Sequence, residues 1–430
     1  MFKIKRKLKE FKNKGEKIKI ALLGCGKMGS SLLSQISNVD GMDIVLVIDH
    51  TSEKARKALI NSGISEDKII VTNDIKQARE AIDKGFFVVS ENYKFSYKLF
   101  QIQALVDCTG NPPFGAEIAT KAIQYHKHII SLNVECDAVV GPILLDMAKK
   151  AGVIYTGSAG DEPGAIIDLC DFAMGAGFDV LFAAKGKNNP LDRNATPDSL
   201  KEEALSKGLS PRMLTSFVDG TNTMVELNAV CNCLGFLPDI DGCYGIETNP
   251  KNATEDYKLE INGGVFESYN RVDFSPGMAP GVFLIVTSDK EEVKDTMKYL
   301  GYGDGPNYLL FRPYHLTSLE TPISIYNAII ENEATIAPIQ GQVADTITIA
   351  KRDIKKGEKI DGIGSDKVYG LLVSHDTQQN GNLLPISLID KNTTAKVDIK
   401  KSTRITYDMV NLDEESTIYV LRRKQDSMKL

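Results

Sequence analysis

No stretch of this sequence approaches the ~20 consecutive apolar residues that a membrane span requires, so no membrane helix is expected. The N-terminal run MFKIKRKLKEFKNKGEKIK is basic but leads into no apolar core of the signal-peptide kind. Its Phe2, Ile4, Leu8 and Phe11 are spaced like one face of a short helix packed on the domain that follows. Glu10 and Glu16 weigh against a transit or surface-binding segment. A disulfide framework is lacking too, because the 7 cysteines are odd in number and scattered over 430 residues. Cys231-Asn232-Cys233 has the wrong spacing for a zinc knuckle and no neighbouring histidine. A reducing cytoplasm is the expected setting. Nor is there an excess of positive charge: the net charge of −6 argues against a general nucleic-acid binder.

What is present begins with KIKIALLGCGKMGSSLL, from Lys17 to Leu33. A short β-prone run, Ile18 to Leu23, ends in Gly24-Cys25-Gly26-Lys27-Met28-Gly29, and a helix-compatible run follows. Strand, G-x-G-x-x-G and helix in that order are the context of a dinucleotide-binding turn. Gly24 allows the tight turn, Gly26 lets the backbone approach a pyrophosphate, and Gly29 lets the helix pack close to the strand. A second strand, Asp43 to Ile48, ends at Asp49, about twenty residues further on, where an acid accepts hydrogen bonds from ribose hydroxyls. A nicotinamide dinucleotide, NAD or NADP, is the expected cofactor. Asp49 suits NAD, since a 2′-phosphate would meet its charge. His50, Thr51 and Arg56 offset that, and both coenzymes stay open.

A chain of this length suggests two or three domains. Strands and helices alternate as far as Tyr155, which predicts a mostly parallel sheet. Ala104 to Pro113 reads as a buried strand breaking into a turn, and such a loop lines a cofactor crevice. Cys108, Thr109, Gly110 and Asn111 are therefore candidate cofactor contacts, joined by Asn133 and Glu135 after the next strand; Cys108 reads as a packing residue rather than a nucleophile. From Gly157 the texture becomes an α+β unit with polar clusters at the ends of its elements, and positions 245 to 280 read as loop. Beyond Thr335 lies a β-rich tail with an internal repeat: Ala350-Lys351-Arg352-Asp353-Ile354-Lys355-Lys356 matches Ala395-Lys396-Val397-Asp398-Ile399-Lys400-Lys401. Two copies are too few for a solenoid and suggest a pseudo-symmetric β domain. The expected fold is thus α/β, with a dinucleotide-binding domain over 1–156, an α+β domain over 157–335, and a small β domain over 336–430.

Lys185 and Lys187, two apart at the end of a predicted strand, would share a face. Paired ammonium groups suit an anionic substrate, can polarise a carbonyl, and depress each other's pKa toward neutrality. A solvated K-G-K turn is the plain alternative, and the apolar strand before it with Asn188-Asn189 after it favours a site. Asp161 and Glu162 precede a predicted helix, where acids ordinarily cap. They would otherwise support a lysine or a divalent cation, and Glu226 carries the same two readings. Arg312 would hold a phosphate or carboxylate bidentately, and His315 would relay a proton.

The N-terminal half resembles homoserine dehydrogenase and other Rossmann oxidoreductases. G-K-G-K-N, D-G-T-x-T-M-x-E, R-P-Y-H-L and a strand-turn phrase A-K-R-D-I-K-K-G-E-K-I similar to that of SAF (antifreeze-like) domains narrow the likeness. Together they resemble the 1-deoxy-D-xylulose 5-phosphate reductoisomerase-like (type II, DRL) family over nearly the whole chain. The resemblance implies a cofactor domain, a central catalytic and dimerisation domain and a SAF domain. For the characterised branch it implies NADPH-dependent rearrangement and reduction of deoxyxylulose phosphate to methylerythritol phosphate. A homodimer or tetramer acting on a small anionic substrate is expected.

Overall fold

Ile18–Leu23 (β1) is apolar apart from Lys19, as a strand covered on both faces must be, and in the computed structural model it lies at the centre of a seven-stranded parallel sheet. The structure describes residues 2–428. The other strands are Met42–Ile48 (β2), Ile69–Val71 (β3), Phe87–Ser90 (β4), Ala104–Asp107 (β5), His128–Ser131 (β6) and Tyr155–Gly157 (β7). Their order, β3-β4-β2-β1-β5-β6-β7, reverses direction at β1, so the carboxyl end of β1 is a topological switch point. Ile20, Leu22, Ile44, Val47, Val106 and Ile130 form the core of this sheet. The N-terminal helix Lys3–Asn13 sinks Leu8 into that core with Ile4 and Phe11 beside it, while Phe2 stays exposed. Helix Val134–Ala151 begins earlier than its apolar run from Gly141 suggests, because Asn133 caps it by accepting from the Cys136 N–H.

The chain divides into two compact units. One gathers the residues up to Asp137, Ile143–Gly164 and Leu316–Ala337; the other holds Ala138–Pro142, Ala165–His315 and the chain from Pro338 onward. Helix Thr321–Tyr326 belongs with the first unit because Ile325 and Tyr326 sit in its core. The C-terminal β segment merges with the central one because helix Thr221–Leu234 is buried on every side and needs cover on both.

One cover is a five-stranded sheet of Asp179–Gly186 (β8), Leu237–Pro238 (β9), Arg271–Ser275 (β10), Val282–Thr287 (β11) and Asn307–Arg312 (β12), in the order β12-β11-β8-β10-β9. β10 runs through a stretch that reads as loop in the sequence. It is only five residues long, carries Asp273 at its middle, follows Asn270 and runs into Pro276 and Gly277, yet it pairs in parallel with β8. The other cover is the antiparallel pair Ala344–Ala350 (β13) and Val368–Ser374 (β14). Here Asn228 donates to Thr346, and the Asn232 side chain accepts from the Val343 and Ala344 N–H groups.

The internal repeat does form a pseudo-symmetric pair. Ile354 and Ile399 exchange backbone hydrogen bonds of 2.8 Å each. Asp353 accepts from the Lys401 N–H at 2.9 Å, and Asp398 reciprocally from the Lys356 N–H at 2.8 Å. All seven cysteines are free thiols. Among the described residues no helix is long and apolar enough to cross a membrane.

Candidate functional site

At the carboxyl end of β1 the three glycines of the turn meet different demands. Gly24 has φ +90°, and a Cβ there would lie 3.0 Å from the Cys108 carbonyl oxygen. A Cβ on Gly29 would lie 2.0 Å from the Gly24 carbonyl oxygen, so only glycine lets the helix Lys27–Ile36 start this close to the strand. Gly26 faces open space, with no atom within 4 Å of a Cβ. That space stands before the free N–H groups of a helix N-terminus, a cradle that fits a pyrophosphate. Cys25, Lys27 and Met28 supply the rest of the turn's backbone; burial and then the Asp49 carboxylate push the Cys25 thiol up to about 12, which leaves it inert.

Asp49 is almost fully buried. Its carboxylate accepts from the Cys25 N–H at 2.8 Å and the Thr51 N–H at 3.1 Å, tying the glycine turn to the end of β2. Beside it stand His50, at 3.2 Å and exposed, and Lys54, at 3.7 Å. Arg56, expected to temper the charge of Asp49, is drawn to Glu53 and Glu66 instead.

The loops after β5 and β6 are held together by a buried hub. Asp107 accepts from the Thr109 N–H and hydroxyl and from Asn133 Nδ2, and Asn133 also reaches the Asn111 carbonyl at 2.9 Å. Thr109, Gly110, Asn111 and Asn133 thus shape the crevice edge through backbone order, with Asp107, which the sequence also places near the nicotinamide, at the centre of the hub. Burial holds the Cys108 thiol well above its usual range, in keeping with a packing role. Burial likewise pushes Glu135 up to about 7.

In the second unit the two lysines are buried on one face. Gly186 between them lies so near the 278–281 turn that a Cβ would stand 2.5 Å from Ala279 Cα. The ladder continues past β8, with the Lys187 N–H donating to the Ser275 carbonyl at 2.9 Å. Lys185 pairs with Glu226 on helix Thr221–Leu234, and Asn222, one turn earlier, donates to the other Glu226 oxygen at 2.6 Å. Lys187 donates to the Phe217 carbonyl at 2.6 Å. Burial first, then Lys185, brings the Lys187 pKa down to about 8; Glu226 and Asp219 pull it up and Arg193 pushes it down. A lysine in this state holds a proton at neutrality and releases it readily.

Arg312 shares the face of Lys185, because both are register partners of Val282. Two strand spacings put their backbones ~10 Å apart. Its guanidinium reaches Asp168 at 3.5 Å and stacks 4.7 Å from the Tyr314 ring centroid. His315 is half-buried just beyond, and Asn188 is exposed. Asp161 and Glu162 stand in the first unit at the start of helix Glu162–Gly175, Glu162 buried. Sequence reading missed Arg193, whose Nη1 is buried without a hydrogen-bond partner and whose guanidinium lies 4.8 Å from the Tyr369 ring centroid. Only its position six residues past Lys187 hinted at it.

The family described as "Oxidoreductase DRL, catalytic domain" matches residues 160–321, and that described as "Dihydrodipicolinate reductase, N-terminus" matches residues 18–156. A search of curated proteins gives no match. Among solved structures, a probable dehydrogenase from Thermotoga maritima is 12% identical over 74% of this chain and 90% of its own, with a TM-score of 0.42. The scyllo-inositol dehydrogenase of Lactobacillus casei, solved with NAD(H) and scyllo-inositol, is 13% identical over 76% and 93%, with a TM-score of 0.40. Turn, sheet and matched families define the class: the chain is an NAD(P)-dependent oxidoreductase. Within that class residues 160–321 are similar to the DRL oxidoreductases.

Proposed function

We propose that this oxidoreductase reduces the carbonyl of a small anionic polyhydroxy compound, phosphorylated or carboxylated, or oxidises the corresponding alcohol. The observation that carries the reading is the buried Lys187 beside the Lys185–Glu226 pair, with its pKa lowered to about 8. The dinucleotide supplies the hydride. Lys187 gives its Nζ proton to the oxygen that turns into an alcohol, and Lys185, fixed by Glu226, stabilises the negative charge developing there. The unpartnered Nη1 of Arg193, with Arg312, offers guanidinium donors to the substrate's anionic group.

The likeness of residues 160–321 to the DRL catalytic domain supports a finer reading: reductive rearrangement of deoxyxylulose phosphate to methylerythritol phosphate. The reciprocal repeat of the C-terminal segment supports reading it as a SAF-type β unit. A protein that only senses the dinucleotide would need the glycine turn alone and has no use for a lysine buried in this state. Absorbance at 340 nm, followed with NADH and NADPH over a panel of sugar phosphates including deoxyxylulose phosphate and hydroxy acids, tests both levels. Turnover that falls ~10²–10⁴-fold in Lys187→Met supports the reading. A panel without turnover, or kcat/KM unchanged within a few-fold in that variant, removes it.

A further inference from the structure

The repeat in the C-terminal segment is reciprocal in its isoleucines and aspartates but not in its first lysine. Lys396 is exposed, whereas its counterpart Lys351 is buried with a side chain 2% accessible. The Lys351 ammonium has three N–H donors and uses each: on the Ala195 carbonyl at 2.8 Å, the Asp219 carboxylate at 2.7 Å and the Ser365 carbonyl at 2.7 Å. Burying a charge this deeply is unfavourable unless it is fully paired, and the fold of the β unit does not require it, since the second copy of the repeat leaves the same residue in water.

The three acceptors lie where the lysine site is assembled. Ala195 is in the loop that follows Lys185 and Lys187. Asp219 joins helix Pro211–Val218 to helix Thr221–Leu234, which carries Glu226, and its other oxygen accepts from the Thr221 N–H at 2.8 Å. Two residues before Asp219 is Phe217, whose carbonyl accepts from Lys187. Ser365 belongs to the β unit itself. We propose that Lys351 is a positioning residue for the catalytic lysines: it locks the Asp219 junction to the loop of Lys187, so that the C-terminal β unit sets the geometry and charge around Lys187 without touching substrate. This rests on the reading of Lys187 as the proton donor.

The groups that bear on Lys187 are Lys185, Glu226, Asp219 and Arg193. Removing the Lys351 ammonium leaves Asp219 with Lys187 as a cation whose charge it favours more strongly. The test labels lysine at Cε with carbon-13 in the full-length protein and follows each resonance with pH, the Lys187 signal being the one absent in Lys187→Met. In Lys351→Met the Lys187 midpoint rises from about 8 by about half a unit to one unit. A midpoint that falls overturns the proposal. A midpoint that does not move overturns the proposal. Lys396→Met leaves the midpoint in place, and so does Ile354→Ala, which loosens the same β unit and lowers only Tm. Should Lys351→Met fail to fold, Lys351→Gln removes the charge while keeping an amide donor for the buried acceptors. The same rise is expected there, and an unchanged midpoint overturns the proposal. Turnover retained by Lys187→Met would instead remove the functional reading while leaving these midpoints measurable.

Discussion

Gly26 and Gly29 sit three residues apart, and their substitutions separate binding from folding. Gly26 has an ordinary φ of −69° and open space around it, so Gly26→Val keeps its stability within about 0.5 kcal/mol. It should lose NAD(P)H affinity at least ~10-fold, because the side chain fills the phosphate cradle. Gly29→Ala drives a methyl against backbone and should destabilise by ~1–3 kcal/mol. Chemical denaturation and a fluorescence titration with NADH distinguish the two, and undiminished affinity in folded Gly26→Val would remove the dinucleotide assignment. Asp49 is committed to the turn, and His50 and Lys54 stand against its carboxylate from the outside. Lys54→Glu should lower NADPH affinity several-fold relative to NADH; an unchanged ratio would exclude Lys54 from 2′-phosphate recognition.

The pH dependence follows from Lys187. Its folded pKa lies below the ordinary lysine value of 10.5, so the group is charged below about 8 and neutral above. Carbonyl reduction needs the protonated form and should lose about tenfold in kcat/KM per pH unit above that midpoint. Alcohol oxidation needs the neutral form, so it should gain about tenfold per pH unit below that midpoint and level off above it. Between about 8 and 10.5 the unfolded chain binds the proton that the folded chain has lost, so this group's contribution to stability grows with pH in that window. A pH–rate profile in both directions checks the first two signs, and Lys187→Met should abolish the limb.

At the scale of elements, helix Thr221–Leu234 is the hub of the second unit. Its Asn232 is fully buried and accepts from two backbone N–H groups at the start of β13, while its own amide donates to Asn228 at 2.9 Å. Replacing it with leucine, similar in size, leaves those donors without an acceptor. Asn232→Leu should therefore cost ~2–5 kcal/mol, measured by urea denaturation. A loss under ~1 kcal/mol would mean that β13 finds other partners. Helix periodicity reads this element from the sequence, but not that polar residues would be sealed inside it.

For the whole molecule, the chain from Pro338 onward belongs to the same compact unit as Ala165–His315. Removing residues 338–430 takes away Lys351 and the cover over helix Thr221–Leu234, so turnover should vanish. The glycine turn lies in the first unit, so dinucleotide binding should survive. Loss of NADH binding from a truncation whose seven-stranded sheet remains folded would contradict this division.

The sequence by itself determined whatever depends on neighbours along the chain. The glycine turn is a local conformation, and alternating strands and helices declare a parallel sheet. Lys185 and Lys187 share a face because a strand repeats every two residues, and the aligned repeat announces its own symmetry. Only the tertiary structure decided which distant groups meet. Asp219 and Lys351 are 132 residues apart, Lys185 finds Glu226 on a helix packed against its strand, and β10 becomes a strand through its pairing with β8. The physical reason is that burial and charge pairing are set by what the fold brings within a few ångströms. A lysine's sequence context says nothing of whether it ends in water, like Lys396, or beneath a β unit, like Lys351.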